Sequence, residues 1–203
     1  MSYETEHVRG VDNSIAPITG VPTFTELLTN PDLATLYTAI RHSPAITAPE
    51  LVDLSTISKK TVYEYLGKLA QAGLITEIED ESNPKRYEAE KFELQLTIRG
   101  MEVSITPELV AVVAHATEYP VIARVRDEHG LVTFALAHDM IKSHSVGDIT
   151  VRQIASLTDL SHGTTYDLLE ALYDIHDLGD DSDPTTYTPD DVVDEDDDLL
   201  TER

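Results

Sequence analysis

One segment of the sequence occurs twice, 103 residues apart, and this repeat restricts the possible folds more than any other feature. The segment ITAPELVDLSTIS at 46–58 is followed at that spacing by ITVRQIASLTDLS at 149–161. The similarity continues at the same spacing, with Thr61, Tyr63, Glu64, Leu66 and Leu69 matching Thr164, Tyr166, Asp167, Leu169 and Leu172. Such repetition indicates one supersecondary unit that is used twice.

The first copy begins with two predicted helices. Apolar residues recur at helical spacing over 24–40, and the Asn-Pro pair at 30–31 is typical of a helix start, so we expect a first helix that ends near His42. Thr47 and Glu50 have the spacing of a capping box. A second, short helix should follow and end at about Leu54.

A third helix and a hairpin complete the predicted unit. Ser58 is a favourable N-cap, and Gly73 is typical of a helix end, so the helix should run to about Ala72. The next residues alternate as two strands, over 74–78 and 85–89. Three helices followed by a two-stranded hairpin predict a winged helix-turn-helix. The chain is therefore expected to be mainly α with small β-hairpin wings, in a tandem arrangement.

In a winged helix-turn-helix the third helix enters the major groove and the wing contacts the flanking phosphates. The candidate DNA-binding residues lie on the outward face of the third helix and at the start of the second wing strand: Ser58, Lys59, Lys60, Thr61, Tyr63, Glu64, Gly67, Lys68, Lys85 and Arg86. A solvated helix face would also account for two adjacent lysines when they are taken alone.

The second copy keeps the packing residues and loses the charge. The five basic residues of the first copy are replaced by uncharged residues or histidine in the second. Lys59, Lys60, Lys68, Lys85 and Arg86 correspond to His162, Gly163, Ala171, Thr185 and Thr186 in that order. Half of the chain's 14 lysines and arginines lie within 41–91, whereas none lies between Gln153 and Glu202. We therefore predict that the first copy binds double-stranded DNA. The second copy is expected to be degenerate and to hold the protein together, by packing on the central helices or by pairing subunits.

The chain divides into five predicted regions. They are a flexible tail (1–20), a winged helix-turn-helix (21–90), a connector with a hairpin and helices that could form a dimer interface (91–130), a degenerate winged-helix-like domain (131–190) and an acidic tail (191–203). The connector helix predicted at 107–118 is apolar over most of its surface. It is therefore either an internal strut or a dimer seam.

Composition excludes several classes of site. The chain has no cysteine, which rules out disulfides, thiolate zinc sites and cysteine nucleophiles. Its histidines show no paired helical spacing, and no glycine-rich phosphate loop is present, so we expect no metal, no cofactor and no catalytic residues. No apolar run is long enough for a membrane span, and the N-terminus lacks the order of a signal peptide. A cytoplasmic location is expected.

The sequence resembles haloarchaeal winged helix-turn-helix transcriptional regulators of the TrmB, MarR and ArsR type. The resemblance is carried by the segment from Thr25 to Ala89, the helix start at 105–107, the helix stop at 127–130 and the repeated unit. A net charge of -24 is in keeping with a salt-rich cytoplasm. The resemblance implies sequence-specific DNA binding as a homodimer and no catalytic activity, and it identifies no effector site.

A second hypothesis remains open. In it the protein is an interaction module, and its acidic second winged helix docks a basic partner or mimics DNA.

Overall fold

The computed structural model describes residues 21–78, 84–98 and 101–178. Their helices are α1 Val21–Thr29, α2 Pro31–His42, α3 Ala48–Leu54, α4 Lys59–Gln71, α5 Pro107–Ala114, α6 Pro120–His129, α7 Leu131–Ser145, α8 Val151–Thr158 and α9 His162–His176. Their strands are β1 Ile46–Thr47, β2 Ile75–Glu77, β3 Arg86–Ala89, β4 Leu94–Ile98 and β5 Met101–Ile105. The expectation of a mainly helical chain with small antiparallel sheets is confirmed. Both predicted tails, the tip of the first wing and the whole second wing, with Thr185 and Thr186, lie outside the described residues.

The first sheet has three strands in the order β1-β3-β2, and both pairs are antiparallel. Ile46 faces Tyr87, and Ile75 faces Ala89. The predicted wing consisted of β2 and β3 alone. Strand β1 was not predicted, because two residues are too few to show an alternating pattern. It joins the segment before α3 to the wing.

Local capping explains why α2 and α3 begin where they do. The side chain of Asn30 accepts hydrogen bonds from the backbone N–H groups of Asp32 at 3.1 Å and Leu33 at 3.4 Å. The predicted capping box is present, since Glu50 accepts a bond from the Thr47 N–H at 2.8 Å and Thr47 accepts one from the Glu50 N–H at 3.4 Å. These bonds satisfy N–H groups that have no partner within the helix.

The helices α8 and α9 begin with the same caps as α3 and α4. Thr150 and Gln153 form a second capping box, in which the Thr150 N–H donates to Gln153 at 2.9 Å. Ser161 accepts a hydrogen bond from the N–H of Thr164 at 3.0 Å. Ser58 accepts the matching bond from Thr61 at 3.2 Å. The repeat in sequence is thus a repeat of helix starts.

The core of the molecule runs through α5. Leu109, Val110, Val112 and Val113 are completely buried within the single chain. The helix packs against α1 and α2 on one side and against α6 on the other. Burial of these four side chains within one chain supports the internal strut, one of the two roles left open by the sequence.

The predicted end of this helix at 118 was wrong. Its last turns tighten, because the N–H groups of His115 and Ala116 donate to carbonyls three residues earlier, and the helix ends at Ala114. A proline at 120 then begins α6. Among the described residues, no helix is long and apolar enough to cross a membrane.

Two histidines meet where α7 packs on α9. The Nε2 atom of His138, a side chain with only 1% exposure, lies 3.1 Å from the Nε2 atom of His176. Burial lowers the pKa of His176, and the charges of His138 and Lys142 lower it further. Burial also lowers the pKa of His144, whose Nδ1 atom lies 2.9 Å from the hydroxyl of Tyr173.

We expect the protein to lose stability between pH 7.5 and 5.5. A histidine whose pKa is lowered by folding binds its proton more readily in the unfolded chain, so the free energy of unfolding decreases as the pH falls below the ordinary value of about 6.5. His176 and His144 both contribute to this loss, because folding lowers the pKa of each. Urea unfolding at the two pH values measures it. The double variant His176→Gln, His144→Gln should lose most of this dependence, whereas His129→Gln, at an exposed position on α6, should keep it.

Removing the matched caps tests whether the two helix starts contribute equally. Ser58→Ala and Ser161→Ala should each lower the free energy of unfolding by about 1 kcal/mol, because each leaves an N–H group at the helix start without its partner. Urea unfolding at pH 7.5 provides the comparison, with Ser58→Thr and Ser161→Thr as controls that keep the oxygen. Wild-type stability in both alanine variants would contradict this explanation of the repeat.

Candidate nucleic-acid interface

Helix α4 has a buried face and an exposed face, as its periodicity predicted. Val62, Leu66 and Leu69 are buried, and the helix packs against α2, α3 and β2. Of the predicted site residues on this helix and at its cap, Thr61 is half-buried and the rest are exposed: Ser58, Lys59, Lys60, Tyr63, Glu64, Gly67 and Lys68. Tyr63 is a large side chain that keeps 47% of its surface exposed.

The two lysines that open α4 differ in their surroundings. Lys60 places its Nζ atom 3.6 Å from Glu64 one turn along the helix, and 86% of its side-chain surface is exposed. Lys59 is also exposed, and within the described ranges it has no carboxylate at ion-pair distance. The start of α4 therefore presents one cation with a nearby carboxylate and one without.

Lys68 holds α4 against α1. Its Nζ atom donates to both carboxylate oxygens of Glu26, at 2.7 and 2.9 Å, and lies 5.5 Å from the centre of the Tyr65 ring. The hydrogen bond to Glu26 raises the pKa of Lys68. Tyr65 in turn accepts a hydrogen bond from the side-chain amide of Asn30 at 3.0 Å. The predicted DNA-binding residue Lys68 thus joins α4 to α1.

Sequence reasoning missed Glu26, Asn30 and Tyr65 as parts of this site. They lie on α1, before α2 and on α4. The bond from Asn30 to Tyr65 spans 35 positions in the chain, and the bond from Lys68 to Glu26 spans 42. No local pattern reports such a contact. A search for acidic residues near lysines could have found Glu26 only with a model of how α1 packs.

The wing supplies the other two predicted residues. Lys85 forms an ion pair with Glu77, and their hydrogen bond raises the pKa of Lys85. Arg86 lies opposite Thr47 in the pairing of β3 with β1. Hydrogen bonds from Thr47 lower the pKa of Glu50, and the charge of Arg86 lowers it further. Since α4 packs on β2 and β2 pairs with β3, one compact unit carries both groups of residues.

The corresponding surface of α9 is acidic. An ion pair at 2.9 Å joins Arg124 of α6 to Asp167, and Tyr119 donates a hydrogen bond to Asp174. That bond raises the pKa of Tyr119 to about 12. An open groove of about 790 Å³ lies between these helices, and its acidic lining residues are Glu118, Asp167, Glu170, Asp174 and Asp177.

The described residues contain no group of three or more histidine, cysteine, aspartate or glutamate side chains arranged to hold a metal ion. The side chains of the interface are lysines, an arginine, hydroxyl groups and carboxylates. Such groups can bind a polyanion or a polar surface.

Comparison with known proteins supports one part of the expected resemblance. Residues 33–93 match the family described as sugar-specific transcriptional regulator TrmB. No curated protein and no solved structure gave a significant match. The matched segment begins within α2 and ends beyond β3, so it contains α3, α4 and all three strands of the first sheet. Over residues 33–93, less than a third of the chain, the protein is therefore similar to the TrmB family of transcriptional regulators.

Proposed function

We propose that the protein is a sequence-specific DNA-binding transcriptional regulator in which α4 reads the major groove. The exposed basic start of α4, within a domain of the TrmB type, is the observation that carries this proposal. Lysine side chains at the start of a recognition helix can reach guanine edges, where a good contact contributes about 1–3 kcal/mol of discrimination.

The basic residues and the helix cap have different proposed roles. Lys59 reads base edges, Lys60 contacts a phosphate at the groove, and Ser58 and Thr61 fix the helix start beside them. Lys85 and Arg86 contact phosphates, which orient the protein on the duplex and carry little sequence information. Tyr63 and Glu64 lie on the same exposed face of α4.

Gly67 supports a close approach of another molecule to α4. A glycine within a helix costs about 1 kcal/mol relative to alanine. A Cβ atom at Gly67 would meet nothing within 4 Å, so no neighbour in the protein requires the missing side chain. We propose that the position is kept bare because DNA passes close to it. Lys68, bound to Glu26, acts as a positioning residue that holds α4 at the angle needed.

We also propose that the protein is a homodimer from a halophilic archaeon, and that α7, α8 and α9 belong to a degenerate second winged helix. The matched caps of α8 and α9 and the repeat in sequence support the second copy. The acidic composition supports the halophilic setting. At molar salt the Debye length is about 3 Å, so close contacts at two half-sites must supply the binding energy.

Selection from a pool of randomised 30-base-pair duplexes tests the leading function. We expect the full chain to enrich a defined motif, and we expect Lys59→Ala with Lys60→Ala to weaken binding to the enriched duplex by about 1–3 kcal/mol. Titration of that duplex and a scrambled one at fixed KCl gives the affinities. Lys142→Ala, on α7, is the matched control. Failure to enrich any motif, or wild-type affinity in the double variant, would overturn the proposal.

The acidic groove between α6 and α9 favours a second candidate function, the docking of a basic partner. Its five carboxylates are offset by a single arginine, Arg124, which already pairs with Asp167. A lysine-rich segment would complement this surface in charge.

A synthetic 15-residue peptide of alternating lysine and glycine measures this second function. Glu170→Gln with Asp174→Asn should weaken its binding to the full chain about tenfold at 0.1 M KCl, because two carboxylates of the groove are lost. Glu102→Gln with Glu128→Gln removes the same charge elsewhere and should change the affinity far less. Equal effects in the two variants would mean that the peptide responds to net charge alone.

A further inference from the structure

We propose that Glu64 and Glu77 compete with DNA phosphates for the lysines of the interface. In consequence, affinity for DNA falls with salt far less steeply than the number of basic side chains predicts. This inference rests on the proposed function of α4 and the wing.

Most of the basic side chains of the interface have a carboxylate close by. Lys60 lies 3.6 Å from Glu64, Lys68 lies 2.7 Å from Glu26, and Lys85 is paired with Glu77. Arg86 is close enough to Glu50 to lower the pKa of that carboxyl. Among the described residues, three of the five basic side chains therefore pair with a carboxylate, and a fourth, Arg86, lies within electrostatic reach of one.

Two of these carboxylates, Glu64 and Glu77, contribute little to the stability of the fold. Glu64 keeps 57% of its side-chain surface exposed, and Glu77 keeps 41%. Exposed ion pairs of this kind contribute little to stability. Glu26 differs, because its two bonds to Lys68 join α1 to α4. Glu64 and Glu77 thus lie on the proposed DNA face without a structural role of comparable weight.

Salt acts on such a face in two opposing ways. A basic surface releases one condensed cation for each phosphate that it neutralises, so the logarithm of the binding constant falls with the logarithm of salt by about 0.9 per contact. At Lys60 and Lys85 the phosphate must first replace a carboxylate. That carboxylate is then left within a few ångströms of the phosphate, where it attracts a cation from solution. Uptake at the carboxylate offsets release at the lysine.

The salt dependence of DNA binding tests the proposal directly. The probe is a fluorescent 30-base-pair duplex of mixed sequence, titrated with the full chain between 0.1 and 1 M KCl. Glu64→Gln with Glu77→Gln should bind about tenfold or more tightly than wild type at 0.1 M KCl. Its plot of log affinity against log KCl should be steeper by about two. The control variant Glu102→Gln with Glu128→Gln removes the same charge from β5 and α6. Its plot of log affinity against log KCl should have the same slope as that of wild type.

Each result decides between the two proposals. Equal slopes for wild type and the Glu64, Glu77 variant would overturn the competition, while DNA binding itself would stand. Binding by this variant at a salt concentration where wild type shows none would support it. If none of the three proteins binds the duplex at any KCl concentration, the competition is overturned, and selection from randomised duplexes then decides the DNA-binding function. Urea unfolding of each variant confirms that glutamine leaves the fold intact.

Discussion

The packing of α5 against its neighbouring helices is the interaction on which the rest of the molecule depends. Its apolar residues touch α1 and α2 on one side and α6 on the other, so one continuous core extends from Phe24 to Leu172. The start of α2 then reaches α4 through the bond between Asn30 and Tyr65. The orientation of the exposed basic face thus depends on packing that lies outside the TrmB-type segment.

Charge on this face is organised by pairs rather than by a single sign. Lys68 is held by Glu26 and fixes a helix, whereas Lys60 and Lys85 have carboxylate partners that are largely exposed to solvent. The three lysines look alike in the sequence, yet their surroundings give them different tasks. A protein with a net charge of -24 can in this way keep cations available at one surface without a broad positive field.

The sequence predicted what short-range bonds determine. The starts of α2, α3, α4, α8 and α9 follow from caps whose partners lie within three residues, and the two faces of α4 follow from helical spacing. The two-residue strand β1 carried no pattern. Helix α5 ends earlier than predicted because its last hydrogen bonds reach carbonyls only three residues back. The candidate residues were placed on an exposed face as expected, but the tie from Lys68 to Glu26 spans 42 residues and depends on how α1 packs.

The matched caps of the two helix pairs separate architecture from chemistry. Ser58 and Ser161 make the same hydrogen bond, although lysines follow the first and a histidine and a glycine follow the second. A helix start that depends on a serine and on buried leucines places no demand on the residues that face outward. Such a unit is therefore a scaffold whose outward face can be altered by mutation without loss of the helix start.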